Sequence, residues 1–77
     1  MGKRELNKLL VRERLLKEAL KLFATKGYEQ TTVADIVAAA EIGRGTYYNY
    51  FSDVKAIFSA VIEDMNSQIQ ELSLIHI

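Results

Sequence analysis

The residues best suited to recognising a partner molecule lie in one short stretch, which begins with Arg44, Gly45 and Thr46. An arginine guanidinium can donate two parallel hydrogen bonds to guanine, which is worth ~1–3 kcal/mol of discrimination between bases. A glycine lets the backbone approach a partner closely, and a threonine offers a hydroxyl to a phosphate and a methyl to a thymine. These residue types, placed next to one another, predict contact with base edges and with the DNA backbone.

Aromatic residues follow directly, at positions 47, 48, 50 and 51. On a helix, Tyr47 and Phe51 share one face, which we expect to pack inward with Ile42. Tyr48 and Tyr50 then lie to either side and are partly exposed, although packing in the core is the alternative for these two. An exposed tyrosine has a hydroxyl that can donate to a phosphate oxygen, so both are candidate contacts to the DNA backbone.

These residues need a scaffold, and the sequence before them predicts helices. Apolar residues at helical spacing predict a long amphipathic helix over about residues 6–26, which ends at Gly27. A second helix of about eight residues begins at Thr32, whose hydroxyl and the carboxylate of Asp35 can form a capping box. The chain contains no proline, which agrees with helix throughout.

A turn and a third helix complete a helix-turn-helix unit. Residues 40–43 form the turn, the third helix covers about 44–51, and Ser52 or Asp53 caps a fourth helix. In such a unit the N-terminal half of the second member faces the major groove. The predicted fold is therefore all-α: a three-helix helix-turn-helix DNA-binding domain over residues 1–55, followed by a connecting helix over 56–77 whose tail is truncated or derived from cloning.

The charge distribution supports this division. The formal net charge is zero, but residues 1–55 carry ten basic and seven acidic residues, a net charge of +3. Residues 56–77 carry three acidic and no basic residues, a net charge of −3. Such a split indicates two surfaces with different partners.

Other classes of function lack the residues that they need. There is no cysteine for a disulfide or a thiolate ligand, and no run of about 18 apolar residues that could span a membrane. The N-terminus lacks the apolar core of a signal peptide, so we predict a cytoplasmic protein. The only histidine, His76, lies in the tail, and no Ser–His pairing or phosphate-binding glycine loop occurs. We therefore predict no catalysis, no cofactor and no metal.

Four blocks of the sequence, in their order and spacing, resemble the tetracycline-repressor (TetR) family over about residues 11–65. The blocks are residues 19–28, 31–36, 43–51 and 53–57. The resemblance implies a homodimeric repressor that binds a palindromic operator in double-stranded DNA. It further implies that a small molecule releases the operator by binding a C-terminal helical domain, which these 77 residues do not include.

The resemblance also assigns DNA contacts to three places. The hydroxyl at the start of the second helix would contact a phosphate, the first residues of the third helix would face base edges or the adjacent phosphate, and its tyrosines would contact the backbone. Val54 takes the place of the family's phosphate-binding lysine, and Lys55 follows one position later. The candidate DNA-binding residues are Thr32, Arg44, Gly45, Thr46, Tyr48, Asn49, Tyr50 and Lys55.

The helix-turn-helix unit departs from the family's pattern at three positions. Glu41 replaces the glycine of the turn, so a residue with a side chain must adopt a left-handed conformation at a cost of ~1–2 kcal/mol. Val37 replaces a small residue where the two helices cross, and Gly43 replaces a serine cap. We expect the motif to form with reduced stability or a slightly altered helix angle.

The apolar stripe of the fourth helix gives an alternative function. Apolar residues at positions 58, 62, 65, 69 and 72 repeat in steps of four and three. This spacing is typical of helices that pair, which would make the chain a protein-interaction or dimerisation module. The stripe covers about two heptads, which is short for a stable coiled coil, and the two functions can coexist.

Overall fold

The computed structural model describes residues 2–75, and within them the side chains of residues 6–65. The described residues form four α-helices and no strand, with one 3-10 turn at Tyr28–Gln30. The helices are α1 (Lys3–Thr25), α2 (Val33–Ala40), α3 (Arg44–Tyr48) and α4 (Val54–Ile75). The predicted all-α fold, with a helix-turn-helix followed by a further helix, is confirmed.

Helix α1 is the central element, since it packs against both α2 and α4. Leu15 and Ala19 on its inner face, Ile36 of α2 and Ile57 of α4 are all 0% exposed. Fully burying one large aliphatic side chain contributes about 1.5–3 kcal/mol, so this shared face holds the helices together. The buried core consists of Leu15, Leu16, Ala19, Ile36, Ala40, Tyr47, Phe51, Ile57 and Val61.

The chain reverses after α1, which starts at Lys3 rather than at about residue 6 and ends one residue before the predicted Lys26. Gly27 has a φ of 89° and a ψ of 152°, a conformation that only glycine adopts without strain. The reversal places the ring of Tyr28 against Phe58 of α4, with centroids 4.6 Å apart. The aromatic contact therefore ties the end of α1 to the fourth helix.

The predicted capping box at the start of α2 is confirmed. The Thr32 hydroxyl oxygen accepts a hydrogen bond from the Asp35 amide at 3.1 Å, and the Asp35 carboxylate accepts one from the Thr32 amide at 3.0 Å. These bonds satisfy two of the amides that a helix start leaves without partners. The short α2 thus begins at a defined residue.

The turn between α2 and α3 is a Schellman motif. The Ile42 amide donates to the Val37 carbonyl at 3.0 Å, and the Glu41 amide donates to the Ala38 carbonyl at 3.3 Å. Glu41 has a φ of 59° and a ψ of 45°, so it adopts the left-handed conformation that the sequence predicted. Both hydrogen bonds of the motif therefore form, although its left-handed residue, Glu41, has a side chain.

Replacing Glu41 with glycine is expected to stabilise the fold by about 0.5–1 kcal/mol. Glycine removes the steric cost of the left-handed conformation, and part of this gain is offset by the greater freedom of glycine in the unfolded chain. Urea unfolding at equilibrium measures the change. Glu41→Ala is the matched control, because it removes the charge but keeps the strain. Equal stabilisation by both variants would assign the effect to charge and contradict the prediction.

The third helix is shorter than the predicted 44–51, because α3 ends at Tyr48 and residues 49 and 50 form a turn. The amides of Tyr50 and Phe51 both donate to the Tyr47 carbonyl, at 2.9 and 3.0 Å. The bond from Tyr50 is of the 3-10 type, from residue i to residue i−3, and such bonds tighten the last turn of a helix. The segment therefore stays hydrogen-bonded to α3 up to Phe51, although its regular helix ends earlier.

The start of α4 is fixed by a side-chain cap. The Asp53 carboxylate accepts a hydrogen bond from the Ala56 amide at 2.8 Å, which confirms one of the two predicted caps. The carboxylate also lies at the positive end of the helix dipole, where a negative charge is favourable.

The apolar stripe of α4 is largely exposed where its side chains are described: Phe58 is half-buried, whereas Ile62 is 42% and Met65 46% exposed. The buried residues of α4, Ile57 and Val61, lie beside the stripe. The side chains at positions 69 and 72, and the tail with His76, lie outside the described residues. Pairing through this stripe stays a prediction.

Candidate nucleic-acid interface

The first residues of α3, predicted to face DNA, are exposed. Arg44, Gly45 and Thr46 follow Gly43, which caps the helix without a side-chain hydrogen bond. A Cβ at Gly45 would meet no atom within 4 Å outside its own helix backbone, so packing within the described chain does not require glycine there. Glycine in a helix nevertheless costs up to ~1 kcal/mol relative to alanine. The surface at Gly45 is open to close approach by a partner.

Tyr47 anchors α3 to the core. Its side chain is 0% exposed, and its hydroxyl donates a hydrogen bond to the Asp53 carbonyl at 2.6 Å. Burial, followed by the nearby Asp53 charge and Tyr48, raises the pKa of Tyr47 to about 12, so the phenol stays protonated as a donor. Because Asp53 also caps α4, this one side chain couples the position of α3 to the start of α4.

The two tyrosines beside this anchor are accessible to different degrees. Tyr48 is 54% exposed, and its ring stands edge-on to that of Tyr47 with centroids 5.5 Å apart. Tyr50 is half-buried and packs against the core, whereas Asn49 is exposed. Neither Tyr48 nor Tyr50 forms a hydroxyl hydrogen bond to a described residue. Their predicted partial exposure is confirmed, and contact with DNA stays a prediction.

The hydroxyl hydrogen of Thr32 is available to donate a hydrogen bond to a partner molecule. In the capping box its hydroxyl oxygen accepts from Asp35, and its amide is already bound to the carboxylate. A hydroxyl has one donor hydrogen besides its acceptor lone pairs, and no described residue accepts this hydrogen. Thr32 can therefore cap α2 and donate to a phosphate at the same time.

An ion pair beside Thr32 was not anticipated from the sequence. The Lys26 ammonium donates to the Asp35 carboxylate at 2.8 Å. This contact, together with the hydrogen bonds from Thr32, holds the pKa of Asp35 below its usual value. The pair lowers the repulsion that Asp35 would exert on a phosphate at Thr32. The two residues are nine positions apart and meet only because the chain reverses at Gly27, so no helical spacing indicates the contact.

Lys55 is exposed in the first turn of α4. Among the described residues, no hydrogen bond or ion pair joins Lys55 or Thr32 to α3. The candidate residues thus lie at the start of α2, on α3 and the turn after it, and on α4, and all except the half-buried Tyr50 are exposed. Such an arrangement suits a surface that binds an extended ligand more than a cleft that assembles reacting groups.

Other features of the described residues do not coincide with this surface. A groove of about 620 Å³ lies between α1, the end of α2 and α4, and none of the candidate DNA-binding residues lines it. Within residues whose side chains are described, no three His, Asp or Glu side chains are grouped so that they could hold a metal ion. In the same part of the chain, no helix is long and apolar enough to span a membrane.

The geometry of α2, the turn and α3 defines a class of protein. Two short helices are joined by a turn with a left-handed residue, and α1 packs against the first of them. The start of the second helix is exposed while its inner side chain is buried. These are the features of helix-turn-helix DNA-binding domains.

Comparison with known proteins identifies the family within this class. Residues 15–61, more than half of the chain, match the model described as bacterial regulatory proteins of the tetR family. The HTH-type transcriptional repressor DhaR of Mycobacterium sp. (strain GP1) is 35% identical over 60 residues, which cover 78% of this chain and 30% of DhaR. The HTH-type transcriptional regulator AcrR of Shigella flexneri is 38% identical over 63 residues, which cover 82% of this chain and 29% of AcrR.

A solved structure agrees with these sequence matches. A Clostridium perfringens chain described as a regulator of fatty acid metabolism superposes with a TM-score of 0.72 and 31% identity, covering 82% of this chain and 35% of that one. The chain therefore belongs to the tetR family of bacterial regulatory proteins. It spans about a third or less of the length of the curated relatives DhaR and AcrR.

Proposed function

We propose that this chain is the DNA-binding part of a transcriptional repressor and that it places α3 in the major groove of double-stranded DNA. The supporting observation is the division of α3 into two sides. Tyr47 is fully buried, whereas Arg44, Gly45, Thr46 and Tyr48 of the same helix are exposed. A helix that is anchored on one side and accessible on the other can enter a groove about 12 Å wide.

The exposed residues then have separate roles in binding. Arg44 reads a base edge through its paired N–H donors, and Gly45 lets the backbone approach the groove. Hydroxyl and ammonium groups around α3 bind phosphates and set the register of the protein on the duplex. The phosphate-binding residues in this proposal are Thr32, Thr46, Tyr48, Tyr50 and Lys55, with Asn49 beside them.

The family resemblance supports further proposals about the whole protein. A homodimer would place two copies of α3 on half-sites about 34–36 Å apart, which makes the operator palindromic. A small-molecule effector would act through a C-terminal helical domain. A regulator of bacterial transcription works where the DNA is, so we place it in the cytoplasm. Repression needs binding at an operator and no catalysis, so we propose that the chain is not an enzyme.

Salt dependence tests the DNA-binding proposal. The 77-residue chain first selects duplexes from a random-sequence pool, and its affinity for them is then measured by fluorescence anisotropy between about 50 and 200 mM salt. We expect an enriched sequence, and a log affinity that falls linearly with log salt by about 0.9 for each phosphate neutralised. Binding that is unchanged over this range, or a pool without enrichment, contradicts the proposal.

A further inference from the structure

Arg12 of α1 lies against Phe51, the residue that follows the candidate DNA-binding residue Tyr50. Its guanidinium carbon is 5.8 Å from the centroid of the Phe51 ring, and Phe51 directly follows Tyr50 in the chain. A guanidinium within about 6 Å of an aromatic ring centroid is held by cation–π attraction. The contact places a permanent positive charge beside Phe51, three residues after the end of α3, although Arg12 itself belongs to α1.

The charge of Arg12 is not compensated within the described residues. Lys26 pairs with Asp35, and Lys21 pairs with Glu18, but Arg12 forms no ion pair or hydrogen bond to a described residue. The Arg12 side chain is exposed, so its five N–H donors can reach a partner outside the chain. Asp53 is an acidic residue two positions after Phe51, but its carboxylate accepts a hydrogen bond from the Ala56 amide and forms no ion pair with Arg12.

We propose that Arg12 is a phosphate-binding residue of the DNA interface, which Phe51 holds in position. The inference rests on the proposed function and extends it to α1. Phosphate oxygens fit the donor fork of an arginine bidentately, and residues beside a helix that enters the groove meet the flanking backbone rather than base edges. The cation–π contact with Phe51 restricts the guanidinium before DNA arrives, so less side-chain freedom is lost on binding.

Arg14 provides a matched control. It is also an exposed arginine of α1, but it lies two residues away, which turns it about 200° around the helix. Arg14 lines the groove between α1 and α4 with Glu13 and Lys17, and that groove contains neither Phe51 nor any residue of α3. Arg12→Gln and Arg14→Gln remove the same charge from the same helix, so a difference between them reports the local contact.

The test measures the affinity of the full chain and of three variants for the selected duplex and for a random-sequence duplex of about 30 base pairs. Arg12→Gln is expected to weaken binding to both duplexes roughly eightfold at 0.1 M salt, and to reduce the salt slope by about 0.9. Arg12→Lys should keep the slope and lose part of the affinity, because the charge remains but the bidentate donor fork is lost. Arg14→Gln should leave the slope unchanged.

Equal effects of Arg12→Gln and Arg14→Gln would overturn the inference, because they would reflect overall charge. An unchanged slope with Arg12→Gln would also overturn it. Circular dichroism at each salt concentration gives the folded fraction of every variant, and dividing the apparent affinity by this fraction removes the effect of instability from the slope. If the unmodified chain binds without salt dependence, the proposed function itself fails, and that outcome is distinguishable from failure at Arg12.

Discussion

Replacing Tyr47 with alanine is expected to lower the free energy of unfolding by about 3–5 kcal/mol. The residue is 0% exposed and is one of the largest fully buried side chains, so its removal leaves a cavity where α3 meets the core. A domain of this size has a total stability of roughly 4–12 kcal/mol. The loss therefore removes a large share of it. Urea unfolding followed by circular dichroism measures the change.

Tyr47→Phe separates the contribution of the hydroxyl from that of the ring. The variant keeps the packing but leaves the Asp53 carbonyl without its donor, which we expect to cost about 1–2 kcal/mol. It should also change the dependence of stability on pH. The pKa of Tyr47 is raised from 10.0 to about 12 in the folded chain, so its protonated form stabilises the fold fully below pH 10. This contribution is lost as the pH rises from 10 to about 12.

The pH effect is measured as the difference between the two proteins. All other groups are the same in the unmodified chain and in Tyr47→Phe, so the difference between the two proteins isolates Tyr47. Tyr48→Ala is the control for the alanine variant, because it truncates the adjacent tyrosine at an exposed site, where substitutions usually change stability by less than about 0.5 kcal/mol. Similar losses for Tyr47→Ala and Tyr48→Ala, or parallel pH curves for Tyr47→Phe and the unmodified chain, would refute the anchoring role.

The parts of the fold that the sequence predicts well depend on contacts within a few residues. The capping box needs a threonine and an acidic residue three positions apart, and Thr32 and Asp35 meet that spacing. The left-handed conformation of Glu41 was predicted from the glycine that this turn normally requires. The inward packing of Tyr47 follows from helical periodicity and was likewise predicted. In each case the local geometry restricts the chain to one arrangement.

The contacts that the sequence did not predict join separate elements. The Tyr47 hydroxyl reaches the Asp53 carbonyl across the break between α3 and α4, and Lys26 reaches Asp35 across the reversal at Gly27. Arg12 lies far from Phe51 in sequence and meets its ring only through the packing of the helices. Helical spacing gives no information about such pairs. The exposed residues of α3 could be located from sequence, whereas the contacts between separate elements required the structure.

Replacing Arg44 with alanine is expected to weaken binding to the selected operator by ~1–3 kcal/mol, roughly five- to 150-fold. Arg44 is exposed at the first position of α3, from which its guanidinium can reach a base edge. The loss should be confined to operators that carry the recognised base pair, and the preference at that position should relax. Competition binding against a set of operators with single base-pair changes measures both effects.

Two variants distinguish base reading from charge in this experiment. Lys55→Ala removes the same charge from another exposed position, and a phosphate contact there should weaken all sequences about equally. Arg44→Lys keeps the charge but loses the bidentate fork, so it should relax the base preference almost as much as alanine does. If Arg44→Ala instead weakens every operator equally, as Lys55→Ala is expected to do, Arg44 binds the backbone. Base selection must then come from other residues of α3 or from the shape of the duplex.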